Sequence, residues 1–394
     1  MRIARILTRL NLGGPARQVL ASDPLLTARG HTVRVFAGEP EPGEGDLTAA
    51  LEARGVEVVR VPGLARGVNP IKDLVALRFL KKALIEFAPD VVHTHASKAG
   101  LLGRRAARAL DGRAVTVHTF HGHVLEGYFP PLVSKRLVAL ERSLAEETDR
   151  ILAVSHATAD DLVRLGVTTD EEIGVVHPGV DFAPLMELPV LRGGTAHPGG
   201  PRELIGAGPD VVLVGVVGRL AEVKRPEVAL EAFCQVAARH AAAHLVFVGD
   251  GGGRRDLEKR ITALSDELQE RVHMVGALDD TVAIFGDLDV LLMSSRTEGL
   301  PVALIEASAA CVPAVAPSVG GIDEVLAHDR TGFIAGEDEE LAMHLDTLLG
   351  DPQAREVYGQ RARMRVSDRF SAEMLARRLE EHYVSLTEQR SANA

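Results

Sequence analysis

Two glutamates eight positions apart are the feature of this sequence that points most directly to chemistry. Glu298 and Glu306 enclose Pro301, with an apolar run of strand length before them and a helix-friendly run after. This pattern predicts a strand, a tight turn and a helix, with Glu298 in the turn, Pro301 in the first helical turn and Glu306 about two turns in. The free amides and positive dipole end of such a helix start favour an anion.

Two cations follow another predicted strand, at 211–218. Arg219 and Lys224 stand in a short loop just before a predicted helix that begins at Pro226. Arginine offers a planar fork for phosphate oxygens, and lysine offers a point charge. Together with the helix start beside Glu298, they would neutralise a diphosphate without a metal. At this point, ordinary surface cations on a loop remain the alternative.

Histidines follow two predicted strands of the first half of the chain. The sequence places His93-Thr-His95 after one strand, and His118-Thr-Phe-His121-Gly-His123 after the next. Neither group has an acidic or cysteine partner at helical spacing, and HExxH is absent, so we predict no metal site here. A neutral histidine at such a place can donate a hydrogen bond or orient an acceptor.

Three glycine-rich or strand-end loops complete the candidate set. Gly13-Gly14 precede a helix, so their amides can approach a phosphate, although neither the dinucleotide fingerprint nor a P-loop is present. Gly251 lies in a strand-end glycine cluster, and Val275 ends a strand where a nucleobase can lie on backbone amides. A diglycine turn alone remains weak evidence.

Strands that alternate with helices must position these loops. The Val- and Ile-rich runs, interrupted by helix-length segments, predict parallel sheets covered on both faces. The pattern breaks in a Pro/Gly-rich stretch and then restarts, which predicts an α/β protein of two doubly wound, Rossmann-like domains facing a central cleft at the carboxyl ends of their strands. The expected boundaries are 1–184, a linker at 185–209, and 210–374, with a C-terminal helix at about 375–394 packing back on the first domain.

Composition narrows the function classes. The 394 residues are 46% hydrophobic and only 4% aromatic, without tryptophan, which argues against a stacking surface for single-stranded nucleic acid. Two cysteines are too few for a disulfide framework. No apolar run approaches the roughly 18 residues of a membrane span and no signal-peptide pattern precedes the first strand, so we expect a cytoplasmic protein.

Charge is distributed unevenly along the chain. The net charge is −11, but residues 1–180 hold 23 Lys and Arg against 21 Asp and Glu. The acidic second half disfavours nucleic acid. The mildly basic first half has clusters at Lys81-Lys82 and at Arg104-Arg105-Arg108, which indicate either solvated helix faces or a weak peripheral contact with anionic lipid at the inner membrane face.

The motifs, taken together and in order, resemble a retaining glycosyltransferase of the GT-B fold, in glycosyltransferase family 4. The resemblance covers nearly the whole chain, and the Glu-x₇-Glu element with Arg and Lys upstream is its most specific part. The matching pieces are Gly13-Gly14, His93-Thr-His95, His118-Thr-Phe-His121, Ala153-Val-Ser-His156, His177-Pro-Gly-Val-Asp181, Gly218-Arg-Leu-x₃-Lys224, Val248-Gly-Asp-Gly251, Glu298-Gly-Leu-Pro-x₄-Glu306 and Gly320-Gly-Ile-x-Glu324.

The resemblance implies a role for each matched residue. Glu298, His121, Arg219 and Lys224 would form the catalytic set, with Glu298 at the donor sugar, His121 near the transferred sugar, and the two cations on the diphosphate. The implied donor-binding residues are Gly14, Arg219, Lys224, Gly251, Val275, Gly299, Leu300, Pro301 and Glu306. Glu306 would hold the ribose hydroxyls. Pro15, which offers no N–H, departs from the family pattern and removes one potential phosphate contact.

The implied reaction moves a sugar from a nucleotide-sugar, with UDP favoured, to an acceptor hydroxyl with retention of configuration and without a metal or other cofactor. His95, His123 and Tyr128 are expected to border the acceptor, which is a sugar, a lipid-linked sugar or a small molecule. A nucleotide-sugar 2-epimerase of the same fold and a non-catalytic nucleotide-sugar-binding protein remain alternatives. The nucleotide base, the sugar, the linkage and the oligomeric state stay open.

Overall fold

The chain divides into two compact units, each built on its own parallel sheet. The first unit comprises Met1–Val180 together with the residues from Phe370 onward, and the second comprises Asp181–Arg369. No helix in the described part of the chain combines the length and apolar character needed to cross a bilayer. The computed structural model describes residues 1–41, 45–122, 125–126, 129–189 and 196–393.

The first unit contains a seven-stranded sheet in the described residues, in the order β3-β2-β1-β4-β5-β6-β7, with every neighbouring pair parallel. Its strands are β1 (Arg2–Arg9), β2 (Thr32–Gly38), β3 (Glu57–Arg60), β4 (Val91–His95), β5 (Val115–Phe120), β6 (Arg150–Ala153) and β7 (Ile173–Val175). The strand order reverses direction between β1 and β4, and ligands of doubly wound sheets bind at the carboxyl ends of the strands around such a point.

The second unit repeats this plan with six parallel strands in the described residues, in the order β10-β9-β8-β11-β12-β13. The strands are β8 (Val212–Val217), β9 (Ala243–Val248), β10 (Val272–Gly276), β11 (Val290–Leu292), β12 (Ala314–Pro317) and β13 (Gly332–Ala335). Here the order reverses between β8 and β11. The loops after these two strands carry Arg219, Lys224 and Glu298, so the cation loop and the glutamate loop come to one place in the sheet.

Helices connect the strands and cover both faces of each sheet. Their bounds are α1 (Gly14–Ala28), α2 (Thr48–Glu52), α3 (Pro70–Phe87), α4 (Ser97–Ala107), α5 (Pro131–Ala145), α6 (His156–Arg164), α7 (Ala183–Met186), α8 (Pro201–Ile205), α9 (Pro226–Ala237), α10 (Arg254–Thr262), α11 (Asp266–Gln269), α12 (Thr281–Asp287), α13 (Val302–Ala309), α14 (Ile322–Val325), α15 (Asp338–Gly350), α16 (Pro352–Ser367) and α17 (Ala372–Asn393). Short 3₁₀ turns lie at Arg108–Leu110 and Glu222–Lys224. The predicted doubly wound architecture is confirmed.

The last helix, α17, belongs to the first unit. Its Leu375, Leu379 and Tyr383 are buried in the same apolar cluster as Val19 of α1 and Val35 of β2. A second cluster fills the opposite side of the sheet, between the strands and helices α3 and α4. Burial on both faces explains why these strands read as continuous apolar runs rather than as alternating ones.

The stretch predicted as a linker, 185–209, contains helix α8, which is anchored within the second unit. Arg202 on this helix is buried; its Nε donates to the Asp287 carbonyl oxygen at 2.9 Å and its Nη2 to Asp289 Oδ2 at 2.5 Å. The Arg202 amide also donates to Asp287 Oδ2 at 2.8 Å. These hydrogen bonds hold α8 against the end of α12 and the start of β11.

One of the two basic clusters expected at the surface is largely neutralised. Arg104 is buried and donates to Glu141 of α5 at 2.5 Å, and Arg108 forms a two-pronged pair with Glu147. The expectation of a solvated helix face holds for Arg105 and Arg108, which are exposed, but is wrong for Arg104, because the Glu141 carboxylate of the next helix lies opposite it and both side chains are buried. Lys81 and Lys82 on α3 are exposed.

Candidate active site

The loop between β11 and α13 holds the two glutamates in different settings. Glu298 lies in the loop and is partly buried, whereas Glu306 lies in the second turn of α13 and is buried. Pro301 has an extended backbone and caps the helix, which begins at Val302. The sequence had predicted Pro301 in the first turn of the helix. Instead, Pro301 directly precedes the helix. The division of a turn glutamate and a helix glutamate is as predicted.

Lys224 and Glu298 form an ion pair at the centre of this site. Lys224 Nζ donates to Glu298 Oε1 at 2.5 Å, and Ser295 Oγ donates to the same oxygen at 2.6 Å. The Glu298 side chain is 9% exposed and that of Lys224 is 33% exposed. Within the described residues, both hydrogen bonds to this carboxylate fall on Oε1, so Oε2 is the oxygen available to a ligand.

The backbone around Lys224 is fixed to the end of β11. Ser294 Oγ donates to the carbonyl oxygens of Lys224 at 2.9 Å and Arg225 at 2.8 Å. Arg225 Nε donates to the Ser294 carbonyl oxygen at 2.8 Å. The two terminal nitrogens of Arg225 donate to the two Asp338 carboxylate oxygens at 2.7 Å each. Sequence reasoning missed Ser294, Ser295, Arg225 and Asp338, because nothing local marks them as partners.

Arg219 reaches the same site from the end of β8. Its side chain is exposed, and it lines a small cavity together with Lys224, Ser294 and Ser295. Arg219 and Lys224 thus border one space, as the sequence predicted. Two cations here would attract the negative charge of a diphosphate more strongly than either alone.

Glycines allow the neighbouring strand-end loops to touch through their backbones. A Cβ on Gly249 would lie 1.9 Å from the Gly218 carbonyl oxygen, and one on Gly251 would lie 2.3 Å from the Leu220 carbonyl oxygen. The Leu220 amide donates to the Asp250 carbonyl at 3.0 Å across this contact. No side chain fits between these loops, so residues at these places can offer only backbone to a ligand.

A second glycine contact supports the Glu298 turn. Gly320 adopts a left-handed conformation, with φ 54°, and a Cβ there would lie 1.8 Å from the Glu298 carbonyl oxygen. The adjacent Gly321 amide donates to the Gly299 carbonyl at 2.9 Å. Leu300, predicted to bind the donor, has a buried side chain. Val275 is half-buried near the end of β10.

In the first unit, three of the predicted site histidines lie on strands rather than in loops. His93 and His95 belong to β4 and His118 to β5, and all three are buried. Among the described residues of this motif, His121 lies beyond the end of β5. The prediction that His93, His95 and His118 lie in loops is wrong. Each of these rings has at least one hydrogen-bonded nitrogen inside the unit, which allows a polar residue to occupy a buried parallel strand.

Both ring nitrogens of His93 are hydrogen-bonded. His93 bonds through Nδ1 to the Tyr383 hydroxyl at 2.6 Å and through Nε2 to Thr119 Oγ1 at 2.7 Å. The Tyr383 hydroxyl accepts a further bond from Arg5 Nη1 at 2.7 Å. This chain of contacts joins β1, β4, β5 and α17. The residues of this network come from distant parts of the sequence, so no local motif indicates the network.

His121 is held by His95. His95 Nδ1 and His121 Nε2 are 2.8 Å apart, and the His95 ring stacks on that of His93 at 4.3 Å between centroids. Desolvation, helped by the positive charge of Arg5, lowers the pKa of His121 to about 3, and burial lowers the pKa of His95 well below its usual value. Both rings are therefore neutral near pH 7, as required of a hydrogen-bonding rather than a charged group.

Of the remaining predicted residues, two are described by the structure and two are not. Gly14 is the first residue of α1, with Gly13 as the N-cap and Pro15 following, so its amide lies at a helix start. His95, predicted to border the acceptor, is buried and contacts His121. His123 and Tyr128 lie outside the described residues.

Comparison with known proteins follows the same two-part division. The sequence profile described as Glycosyltransferase Family 4 matches residues 12–183, and that described as Glycosyl transferases group 1 matches residues 203–365. A GDP-mannose-dependent alpha-mannosyltransferase of Mycobacterium tuberculosis is 31% identical over 387 residues, covering 94% of this chain and 92% of that one. The UDP-Gal:alpha-D-GlcNAc-diphosphoundecaprenol alpha-1,3-galactosyltransferase of Escherichia coli is 26% identical, covering 98% and 97%.

Solved structures agree on the fold. HepE of Anabaena, crystallised with UDP-glucose, superposes with a TM-score of 0.78 at 21% identity, covering 98% of this chain and all of that one. Sucrose-phosphate synthase of Thermosynechococcus elongatus gives 0.80 at 19% identity, covering 99% and 100%. The fold and these comparisons together define a glycosyltransferase of GT-B architecture. The chain belongs to glycosyltransferase family 4.

Proposed function

We propose that this enzyme transfers a hexosyl group from a nucleotide-sugar, with UDP as the carrier, to an acceptor hydroxyl with retention of configuration and without a metal. The observation that carries the proposal is the contact of Lys224 and Ser295 with one oxygen of Glu298, beside the space that Arg219 borders. Cations for a diphosphate and a carboxylate for a sugar lie together at the strand-order reversal of the second unit.

Each group has a part in the bond changes. The bond between the sugar C1 and the diphosphate oxygen breaks, and charge builds on that oxygen, where Arg219 and Lys224 stabilise it. Glu298 Oε2 accepts hydrogen bonds from sugar hydroxyls and favours the cationic ring. The acceptor oxygen attacks C1 on the face that the diphosphate leaves, and its proton passes to the departing phosphate oxygen. Removal of a preorganised donor of this kind typically lowers kcat about 10²–10³-fold.

The donor and acceptor classes are supported by the relatives. The Escherichia coli relative, which this chain matches along nearly its full length, is named for a UDP-sugar donor and a diphosphoundecaprenol-linked acceptor. We infer a UDP-sugar donor and a lipid diphosphate-linked sugar as acceptor, with GDP-mannose, named for the mycobacterial relative, as the competing donor. His121, neutral and held by His95, would orient the acceptor hydroxyl or the transferred sugar.

Donor binding and transfer are tested separately. Titration with UDP, GDP and ADP, followed by calorimetry, should give the tightest binding for UDP. The Glu298→Ala variant should keep UDP binding and lose most transfer, whereas Glu267→Ala, at a position 82% exposed in the same unit, should match wild type. Transfer by Glu298→Ala at the wild-type rate would contradict the proposed role of Glu298 at the donor sugar. An NMR spectrum of the product reports the anomeric configuration.

The epimerase alternative is decided in the same assay. Donor incubated without acceptor should remain one sugar isomer, with at most slow hydrolysis. Appearance of the 2-epimer under those conditions would replace the transferase proposal by the epimerase one. Tight UDP binding with neither hydrolysis nor transfer to any acceptor would favour a non-catalytic nucleotide-sugar-binding protein.

A further inference from the structure

The two ring nitrogens of His121 have different surroundings. His121 Nε2 lies 2.8 Å from His95 Nδ1, so a hydrogen bond joins the two rings. His121 is only half-buried, and its Nδ1 makes no hydrogen bond to another described residue. Nδ1 is therefore the nitrogen through which this ring can contact a ligand. The proton on one nitrogen of a histidine is set by the hydrogen bond that the other makes, so His95 determines what Nδ1 offers.

Two arrangements of protons would satisfy the contact between these rings. Both rings are neutral near pH 7, because burial lowers the pKa of His121 to about 3 and that of His95 well below its usual value. A neutral imidazole has one N–H, which donates, and one bare nitrogen, which accepts. Either His95 Nδ1–H donates to His121 Nε2, or His121 Nε2–H donates to His95 Nδ1. The first arrangement leaves His121 with its proton on Nδ1, and the second leaves Nδ1 bare.

The other nitrogen of His95 distinguishes the two arrangements. His95 is 2% exposed, and its Nε2 is buried without a hydrogen-bond partner in the part of the chain that the structure describes. If His95 accepted from His121, its own proton would be on Nε2, and a buried N–H would lack an acceptor. A bare nitrogen at that place is less costly, since orphaned buried N–H groups are rarer than under-satisfied acceptors. The proton of His95 therefore belongs on Nδ1, and His121 Nε2 accepts it.

The ring of His95 is held in place by His93. The two rings are stacked, with 4.3 Å between their centroids and 28° between their planes. His93 is fixed at both nitrogens. Arg5 Nη1 donates to the Tyr383 hydroxyl, which leaves that hydroxyl its own proton to donate to His93 Nδ1. His93 Nε2–H then donates to Thr119 Oγ1. The plane of His93, and through it the His95 ring, is thus set by residues of β1, β5 and α17.

We propose that His95 is a positioning residue that fixes His121 as the Nδ1–H tautomer, so that His121 contacts its ligand as a hydrogen-bond donor. The ligand atom must then be an oxygen that accepts. The identity of the ligand rests on the proposed function, and an oxygen of the transferred sugar fits this donor. Because Nδ1 already carries a proton, the neutral ring cannot take up the proton of the acceptor hydroxyl there. The proton therefore goes to the departing phosphate oxygen rather than to His121.

Nitrogen chemical shifts report the tautomer directly. The full chain is labelled with ¹⁵N-histidine, and long-range ¹H–¹⁵N spectra are recorded near neutral pH without donor or acceptor. The His121→Ala variant identifies the His121 signals by their loss. His121 should show a proton on Nδ1 and a bare Nε2. A proton on Nε2 of His121 would overturn the proposal, and the wild-type spectrum decides this question even if a variant is unstable.

Two variants of the same shape test the part of His95. His95→Asn places an amide nitrogen at about the position of Nδ1 and can donate, whereas His95→Asp offers an ionised carboxylate, which only accepts. The Asn variant should keep His121 Nε2 bare. The Asp variant should put a proton on His121 Nε2. A bare Nε2 in the Asp variant would overturn the proposal, because the tautomer of His121 would then not depend on its partner.

Transfer kinetics distinguish positioning from a general structural role. His95→Asp should lower kcat/KM about tenfold, the factor that one hydrogen bond is worth, and His95→Asn should lower it less. On the His121→Ala background, His95→Asp should cause no further loss, because His95 acts through that ring. An equal loss with and without His121 would indicate a structural role and overturn the proposal.

The spectra separate this inference from the proposed function. They need neither donor nor acceptor, so a protein without transferase activity would still show which nitrogen of His121 carries the proton. Conversely, a proton on His121 Nε2 would overturn the role of His95 and leave those of Lys224 and Glu298 unchanged.

Discussion

Replacing Gly320 by alanine should displace the Glu298 turn. The added Cβ would lie 1.8 Å from the Glu298 carbonyl oxygen, where real contacts are not closer than 3.0 Å, so this backbone must move by more than about 1 Å. The left-handed conformation adds strain of roughly 1–2 kcal/mol for any residue with a Cβ. A misplacement of about 1 Å at a reacting centre lowers activity roughly 10²-fold. We expect that loss in kcat/KM.

Gly206→Ala is the matched control. Gly206 also has a left-handed backbone, with φ 63°, but nothing lies within 4 Å of the position of its added Cβ. This variant should share the backbone strain, seen as a lower melting temperature by about 2–4 °C per kcal/mol, and keep activity within about twofold. Transfer assays at a temperature where both variants are folded distinguish the two effects. Full activity of Gly320→Ala, or equal losses in both variants, would refute the reasoning.

Three further predictions concern the site and its support. Lys224→Ala should lower kcat about 10²-fold by removing a cation from the diphosphate, and EDTA should leave wild-type transfer unchanged; abolition by EDTA would contradict the role of Lys224. Because the native pKa of His121 is lowered to about 3 and those of His95 and His118 also lie below 6.5, the unfolded chain binds more protons. Denaturant midpoints should therefore fall as the pH drops from about 6.5 toward 3, and a flat profile would contradict this. Tyr383→Phe should lower the free energy of unfolding by about 1–3 kcal/mol, measured by urea titration, by leaving buried polar partners unsatisfied; a loss no larger than that of an exposed control would count against it.

The sequence was sufficient for the architecture and for grouping Arg219, Lys224 and Glu298 at one sheet edge of the second unit. Strand-length apolar runs predicted the parallel strands because these strands are buried on both faces, and glycine or proline marked the loops after them. Arg219, Lys224 and Glu298 were found because each follows a strand that ends at the same sheet edge. The ion pair of Lys224 with Glu298 was not predicted, since spacing gives proximity of loops but not of atoms.

The first unit was harder to predict, for a physical reason. Histidines on a buried strand resemble histidines in a loop until their partners are known. The partner of His93 is the Tyr383 hydroxyl, 290 positions away, and Arg5 meets that hydroxyl across 378 positions. Sequence patterns report periodicity within one element, and such contacts depend on how distant elements pack.

The origin of the first unit from two stretches of chain has a consequence for its synthesis. Helix α17 supplies Leu375, Leu379 and Tyr383 to the core of that unit, but the ribosome makes these residues only after the whole of Asp181–Arg369. The second unit is contiguous and can fold as soon as it emerges. The first must wait with part of one apolar side of its sheet uncovered, beside α1, and with Arg5 and His93 lacking their shared hydroxyl. Nascent chains are therefore most prone to aggregate or recruit chaperones during this interval, and truncation before α17 should affect the first unit rather than the second.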